Sequence, residues 1–307
     1  MIPNDPPPHT PAPAAQVRLV LVVVFLAYLG QMTLPPIIAP LARAAGLAEW
    51  QVGVTISTAA LMVVLTSQFW GTRSQSWGRK PVLAVALAAA TTSMACFATL
   101  AGLGIAGAIT GAALFALFLL LRGVLFGGAI AAIAPTAQAF IANVTSTEAE
   151  RVRGLAGVGA VQGIAMIGGS VVGGLLAGIG LMVSIWAVPG FLAVALVLVL
   201  VAMRREAASE LLAAPVRVRA RDPRVFPFLL AGFGLFTALG FIQILTGFIV
   251  QDRFGLSGET TGLVTGGALL AAGVGMVLAQ TVIVPRSRIS PPGLIRLGAP
   301  IALAGFG

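Results

Sequence analysis

Residues 71–81 read GTRSQSWGRKP and lie between two charge-free stretches of the chain, 50–72 and 81–121. The segment contains no carboxylate and three cations, Arg73, Arg79 and Lys80. A helix that crosses a bilayer needs about 20 apolar residues, and each flanking stretch is long enough to supply one. We therefore predict that the segment is a short cationic turn between two membrane spans.

The composition of the whole chain agrees with a membrane protein. Hydrophobic residues make up 58% of the 307 residues and charged residues 9%, whereas a soluble domain has roughly 25% charged residues. We predict an all-α polytopic membrane protein. Its spans are expected at about 18–41, 50–72, 81–102, 110–142, 154–177, 181–203, 225–251 and 260–284, with a ninth that begins near Pro292 and is cut short by the end of the chain.

The distribution of cations predicts the orientation. Fifteen of the 18 Lys and Arg residues lie at the amino end or in connections after even-numbered spans. Only Arg43 and Arg253 follow odd-numbered spans, and Arg122 lies inside span 4. Because cationic loops stay on the cytoplasmic side, we expect a cytoplasmic amino terminus.

The longest cytoplasmic connection, 204–224, is the natural linker between two halves. At an offset of 209 positions, a short repeat places Arg79 over Arg288 and aligns Gly46, Leu47 and Gly53 with Gly255, Leu256 and Gly262. Two parallel six-helix halves are an architecture of secondary transporters. The expected organisation is a disordered cytoplasmic tail (1–16), a six-helix half (17–203), the linker (204–224) and a partial second half (225–307).

Other functional classes lack the residues that they need. The cations are spread over several loops without interleaved aromatic residues, which argues against nucleic-acid binding. The single histidine, His9, lies in the tail, and the single cysteine, Cys96, lies in an apolar run. No metal-ligand cluster or nucleophile–base pair can be assembled from them. We expect no enzymatic activity, no metal and no cofactor.

Residues 71–80 resemble the G-x-x-x-D-R-x-G-R-K signature of the major facilitator superfamily, specifically its bacterial drug-efflux antiporter branch. Four positions match, Gly71, Gly78, Arg79 and Lys80, while Gln75 replaces the Asp and Ser76 the Arg. The resemblance implies a cytoplasmic gate that latches the two halves together. Without a charge, Gln75 can contribute only a hydrogen bond. The alternative is a cationic anchor that only fixes the topology.

Two further motifs carry the same resemblance. Residues 122–129, RGVLFGGA, resemble the R-x-x-x-G motif of span 4. Span 5 of the efflux branch has G-P-x-x-G-G, resembled by Gly169, Ser170, Gly173 and Gly174, with Ser170 in place of the proline. This motif implies a bend that suppresses leak, and the alternative is ordinary close packing of small residues.

Candidate substrate contacts are the polar residues inside the spans. A cation within a span costs roughly 2.5–3.5 kcal/mol, so Arg122 must face the interior or a wet cavity. The resemblance implies a role in coupling or in binding an anionic group, whereas a structural arginine would be satisfied by carbonyls of a neighbouring helix. The polar candidates inside the spans include Gln138 and Thr246. By resemblance, spans 1, 4 and 7 line the central cavity, which favours Gln31, Arg122 and Gln243. Buried amides otherwise serve as interhelical hydrogen bonds.

The resemblance implies a secondary transporter of the bacterial plasma membrane that works by alternating access. The most concrete expectation is a monomer that exports a small lipophilic or anionic compound, coupled to protons. All nine carboxylates lie in tails or loops, so a coupling carboxylate lies beyond the visible spans or at a loop edge, or the carrier is not proton-coupled. The alternatives are a metabolite uptake carrier or uniporter, a non-transporting receptor or scaffold, and an inactive fragment.

Overall fold

The computed structural model describes residues 13–206 and, of the remainder, residues 223, 226–227, 230–234, 253, 271, 273–275, 277–287, 289 and 291–306. Residues 13–206 form helices and short connections. The helices are α1 (Pro13–Thr33), α2 (Pro35–Ala44), α3 (Glu49–Trp77), α4 (Arg79–Ile105), α5 (Gly111–Val144), α6 (Glu148–Ile179) and α7 (Leu181–Ala202), and a later helix, α8, covers Pro291–Phe306.

Six of these helices, α1 and α3 to α7, are long and apolar enough to cross a membrane. The first six predicted spans are therefore confirmed, with shifted ends. The predicted all-α membrane fold is confirmed as well. Predicted spans 7 and 8 are described only in part, at 226–227, 230–234, 271, 273–275 and 277–284. The residues 207–222 of the linker, Gln243 and Thr246 lie outside the described residues. Helix α8 begins at Pro291, next to the predicted start of the ninth span.

The first span differs from its prediction at both ends. Helix α1 already begins at Pro13, so residues 13–16 are helical and do not belong to the tail. It ends at Thr33, and α2 starts at Pro35 after a bend at Leu34. Proline lacks an N–H for the helical ladder and disfavours helical dihedrals in the residue before it. The first predicted span is therefore two helices instead of one.

The connection within the cationic segment 71–81 is shorter than the turn predicted between spans 50–72 and 81–102. Helix α3 continues through Trp77, α4 starts at Arg79, and Gly78 alone joins the two. Gly78 has φ 93° and ψ 157°, a combination that a residue with a Cβ rarely adopts. The cations thus project from two rigid helix ends, because a single glycine makes the whole reversal.

The hydrophobic core lies between α1, α4, α5 and α7. Its fully buried members include Val24, Phe97, Phe126, Phe140 and Leu192. Helix α1 packs along α6 and α7, and α4 packs along α7. Helix α3 lies at the edge of the bundle, and only 6% of its most apolar 18-residue stretch is buried. Its exposed apolar face is therefore available to lipid or to further helices.

Small residues bring two pairs of helices into close contact. On α6, a Cβ at Gly169 would lie 2.6 Å from Cβ of Met32, and a Cβ at Gly173 would meet the carbonyl oxygen of Thr33. On α5, a Cβ at Gly127 would lie 2.7 Å from Cα of Ala59. Glycines that allow such approach are a common device for packing helices in membranes. Gly169 and Gly173 therefore lie where α6 approaches α1 most closely.

Gly173 and its neighbour Gly174 provide a matched test of this contact. A Cβ at Gly174 meets no atom within 4 Å. We expect Gly173→Ala to destabilise the protein by about 1–3 kcal/mol, because α1 and α6 must move apart. Gly174→Ala should be neutral or slightly stabilising, because alanine is the better helix former. Thermal unfolding in detergent measures both, and equal melting temperatures would contradict the close approach.

Candidate functional site

Arg79 is the centre of a polar network at one end of the bundle. Its Nη1 donates to Oε1 of Glu206 at 3.0 Å, and its backbone N–H donates to Oε2 of the same carboxylate. The two side chains are 10% and 3% exposed. With its amide oxygen turned toward the guanidinium, Asn143 accepts from both terminal nitrogens of Arg79 at 3.1 and 3.2 Å. Three chain segments meet here: the start of α4, the end of α5 and the residues after α7.

The carboxylate that pairs with this cation comes from outside the segment 71–81. Glu206 is 127 positions away from Arg79 in the chain. The first N–H groups of a helix have no partner within the helix, and the helix dipole favours an anion at that end. Glu206 therefore neutralises the Arg79 side chain and also caps α4.

Two further side chains hold the end of α7. Lys80 Nζ donates to the carbonyls of Leu200 at 2.9 Å and Met203 at 2.8 Å. Gln16 of α1 donates from Nε2 to the carbonyl of Ala202 at 3.1 Å, and its Oε1 accepts the N–H of Arg204 at 2.9 Å. The last carbonyls of a helix lack internal partners, so α1 and α4 together complete this helix end. The position of Glu206 is fixed as a result.

The other residues of the cationic segment make contacts within α3. The guanidinium carbon of Arg73 lies 4.7 Å from the ring centroid of Trp77 and 5.4 Å from that of Phe69. Both are cation–π distances. Gln75 Nε2 donates to the carbonyl of Gly71 at 3.4 Å, and a Cβ at Gly71 would meet nothing within 4 Å. Arg79 and Lys80 thus join helices within this half.

Arg122 lies in a second, separate site. The part of α5 from Leu119 to Leu125 is a π-helix, a wide form of helix that is frequent at functional sites. The Arg122 guanidinium carbon lies 4.8 Å from the ring centroid of Phe126. Its buried Nε has no hydrogen-bond partner among the described residues, and no described carboxylate forms an ion pair with it.

Arg122 lines a small cavity between four helices. The other lining residues are largely apolar: Ile38, Ala42, Leu47, Gln51, Val52, Thr55, Ile56, Phe97 and Phe118. The two polar lining residues, Gln51 and Thr55, form hydrogen bonds within the first turns of α3. Thr55 donates to the carbonyl of Gln51 at 2.9 Å, and Gln51 Oε1 accepts the N–H of Ala48 at 2.8 Å. The cation therefore faces mainly hydrocarbon.

Of the other candidate cavity residues, the two that the structure describes, Gln31 and Gln138, do not line this cavity. Gln31 is half-buried near the end of α1, and Gln138 is exposed on α5. Gln243 and Thr246 belong to the part of the chain that is not described. The structure thus places Arg122 inside the amino-terminal group of helices, away from the other candidates that it describes.

Comparison with known proteins agrees with this helical architecture. The sequence profile of the Major Facilitator Superfamily matches residues 20–307. The chain belongs to this superfamily. The expected family and major facilitator fold are thereby confirmed, and since the superfamily consists of transporters, so is the expectation that the protein is not an enzyme.

Two individual proteins resemble this superfamily member. The tetracycline resistance protein, class C, of Escherichia coli is 33% identical over 129 residues, which span 42% of this chain and 29% of that protein. The crystal structure of the human organic anion transporter MFSD10 (TETRAN) superposes on this chain with a TM-score of 0.68 at 20% identity. The matched region spans 90% of this chain and 73% of the MFSD10 chain. At this identity the second likeness shows the fold alone.

Sequence analysis missed the partners of the superfamily motif. Glu206 follows α7 closely, and Asn143 ends α5, but neither position is marked by a local pattern. Gln16 was assigned to the tail because it follows a Pro-rich stretch and precedes the first apolar run. A search for polar residues at the ends of spans on the cationic side would have found all three.

The pair Arg79–Glu206 can be compared with an exposed pair of the same chemistry. Arg151 and Glu148 are 3.1 Å apart and their side chains are 43% and 77% exposed. We expect Glu206→Gln to lower the free energy of unfolding by about 2–3 kcal/mol, because Arg79 keeps its charge in a buried position. Glu148→Gln should change it by less than about 1 kcal/mol. Thermal unfolding of the two variants measures the difference, and equal shifts would contradict the role of Glu206.

Proposed function

We propose that this superfamily member exports a small amphipathic compound in exchange for protons, by alternating access. Membership of the superfamily makes it a membrane-embedded secondary transporter of a small molecule. The finer proposal rests on one observation, the Arg122 cation of α5 in an apolar cavity between four helices. The partial likeness to a tetracycline resistance protein supports export of a drug-like compound.

The chemistry of the Arg122 site favours an amphipathic substrate or an acidic coupling group. A charge in a low-dielectric interior interacts more strongly with an opposite charge than it would in water. The surrounding side chains, such as Phe97, Phe118 and Ile38, offer apolar contact. An acidic side chain or the anionic end of an amphipathic molecule would satisfy both features. The cavity has a volume of about 10 Å³, room for one water molecule, so it must widen to admit either.

The network around Arg79 is the proposed cytoplasmic gate. The three helix ends that it joins belong to one half, so the half can move there as one body. Lys80 and Glu206 hold the point where the chain leaves α7 for the linker. We propose that this end faces the cytoplasm of a bacterial plasma membrane, as the cation distribution predicts.

Transport assays with Arg122 variants test the export proposal. The protein is reconstituted in proteoliposomes, and tetracycline flux is followed with and without an imposed pH gradient. We expect gradient-dependent flux that falls at least about tenfold in Arg122→Ala, because the apolar cavity then lacks its cation. Arg151→Ala, which removes an exposed cation, serves as the control and should retain flux.

Other results of this assay select the alternatives. Flux that needs no gradient indicates a uniporter, and tetracycline binding without flux indicates a receptor. A normal rate in Arg122→Ala at normal expression would contradict the role of Arg122.

A second variant tests the gate. Gln75→Asp restores the acidic residue of the superfamily signature, and we expect it to strengthen closure of the cytoplasmic side through an added charge. A single cysteine at Thr145, in a Cys96→Ser background, reports accessibility to a membrane-impermeant thiol reagent. Labelling should slow severalfold in Gln75→Asp and not in the control Ser76→Asp. An unchanged rate would leave the segment as a topological anchor only.

A further inference from the structure

The π-helical stretch of α5 is held by a neighbouring helix at its centre. Ser93 of α4 is 3% exposed, and its Oγ donates to the carbonyl of Leu121 at 2.7 Å. The same carbonyl accepts the N–H of Phe126, five residues further along the chain, which is the π-helical pattern. Leu121 O thus receives two hydrogen bonds, one from its own helix and one from α4.

Both flanks of this stretch are fixed as well. Toward the end of α5, the carbonyl of Gly128 accepts Trp70 Nε1 at 2.6 Å and Thr66 Oγ1 at 3.2 Å. Toward its start, the rings of Phe118 and Phe97 pack with centroids 4.6 Å apart. Helices α3 and α4 therefore hold α5 on both sides of the wide turn.

The wide turn determines the direction in which Arg122 points. A π-turn holds one residue more than the α-helix around it, and each residue of a helix adds about 100° of rotation. If residues 119–125 returned to a regular α-helix, the part of α5 after this stretch would rotate by about 100° relative to the part before it. The carbonyl of Leu121 belongs to the peptide unit that contains the N–H of Arg122. The bond from Ser93 thus acts on the backbone that carries the cation.

We propose that Ser93 is a positioning residue for Arg122: its hydroxyl holds the Leu121 carbonyl in the π-helical arrangement and keeps the guanidinium directed into the cavity. The proposal rests on the proposed function of Arg122. In Ser93→Ala the Leu121 carbonyl retains the Phe126 N–H, so no buried acceptor is left without a partner and the protein should fold.

Hydrogen exchange tests the structural part of the proposal without any transport. We expect amide exchange over 119–128 to rise about three- to fivefold in Ser93→Ala, the factor that corresponds to the loss of one hydrogen bond. Ser184→Ala is the matched control, because Ser184 is also buried and its Oγ donates to the carbonyl of Gly173 at 3.0 Å. That variant should leave exchange over 119–128 unchanged. Equal exchange in wild type and Ser93→Ala would overturn the proposal.

Transport tests the link to Arg122. Tetracycline flux should fall about three- to fivefold in Ser93→Ala, recover in Ser93→Thr, which keeps the hydroxyl, and stay normal in Ser184→Ala. In an Arg122→Lys background the effect of Ser93→Ala should shrink, since residues that act through one another are not additive. Normal flux in Ser93→Ala, while Arg122→Ala is inactive, would overturn the proposal. Normal flux in Arg122→Ala would refute only the role of Arg122, and the exchange measurement then decides separately for Ser93.

Discussion

The contact between Arg79 and Glu206 is the interaction on which the end of the helical bundle depends. One carboxylate neutralises the guanidinium and caps the first turn of α4. Asn143 adds α5 to the same cation. Without a partner, a buried cation at a helix start would destabilise the fold, because it loses its hydration and because the positive end of the helix dipole repels it. The pairing therefore fixes how α4, α5 and the chain after α7 lie relative to one another.

Helix α3 connects this network with the Arg122 site. Its last turn passes through Gly78 directly into Arg79, and further back Ala59 packs against Gly127, beyond the wide turn of α5. Displacement of α3 would thus act on both places. Gly78 alone joins α3 to α4, and Ala59 is in direct contact with Gly127. Helix α3 thus links the Arg79 network mechanically to the Arg122 site.

The buried cation also explains the architecture around it. Arg122 is costly in an apolar helix, and the chain surrounds it with the ring of Phe126 and with a turn held by Ser93, Thr66 and Trp70. These contacts restrain the backbone and leave the Nε without a partner among the described residues. The ring of Phe126 and the held turn therefore surround Arg122 without an ion pair among the described residues.

The sequence by itself determined the family, the all-helical fold and the first six spans, because the length of an apolar run and the charge between runs are local properties of the chain. Even the break at Leu34 had a local signal in Pro35. Only the tertiary structure decided that Glu206 pairs with Arg79, that Ser93 bonds to Leu121, and that Gln31 does not share a cavity with Arg122. These contacts join residues far apart in the chain, and their formation depends on how the helices rotate and pack.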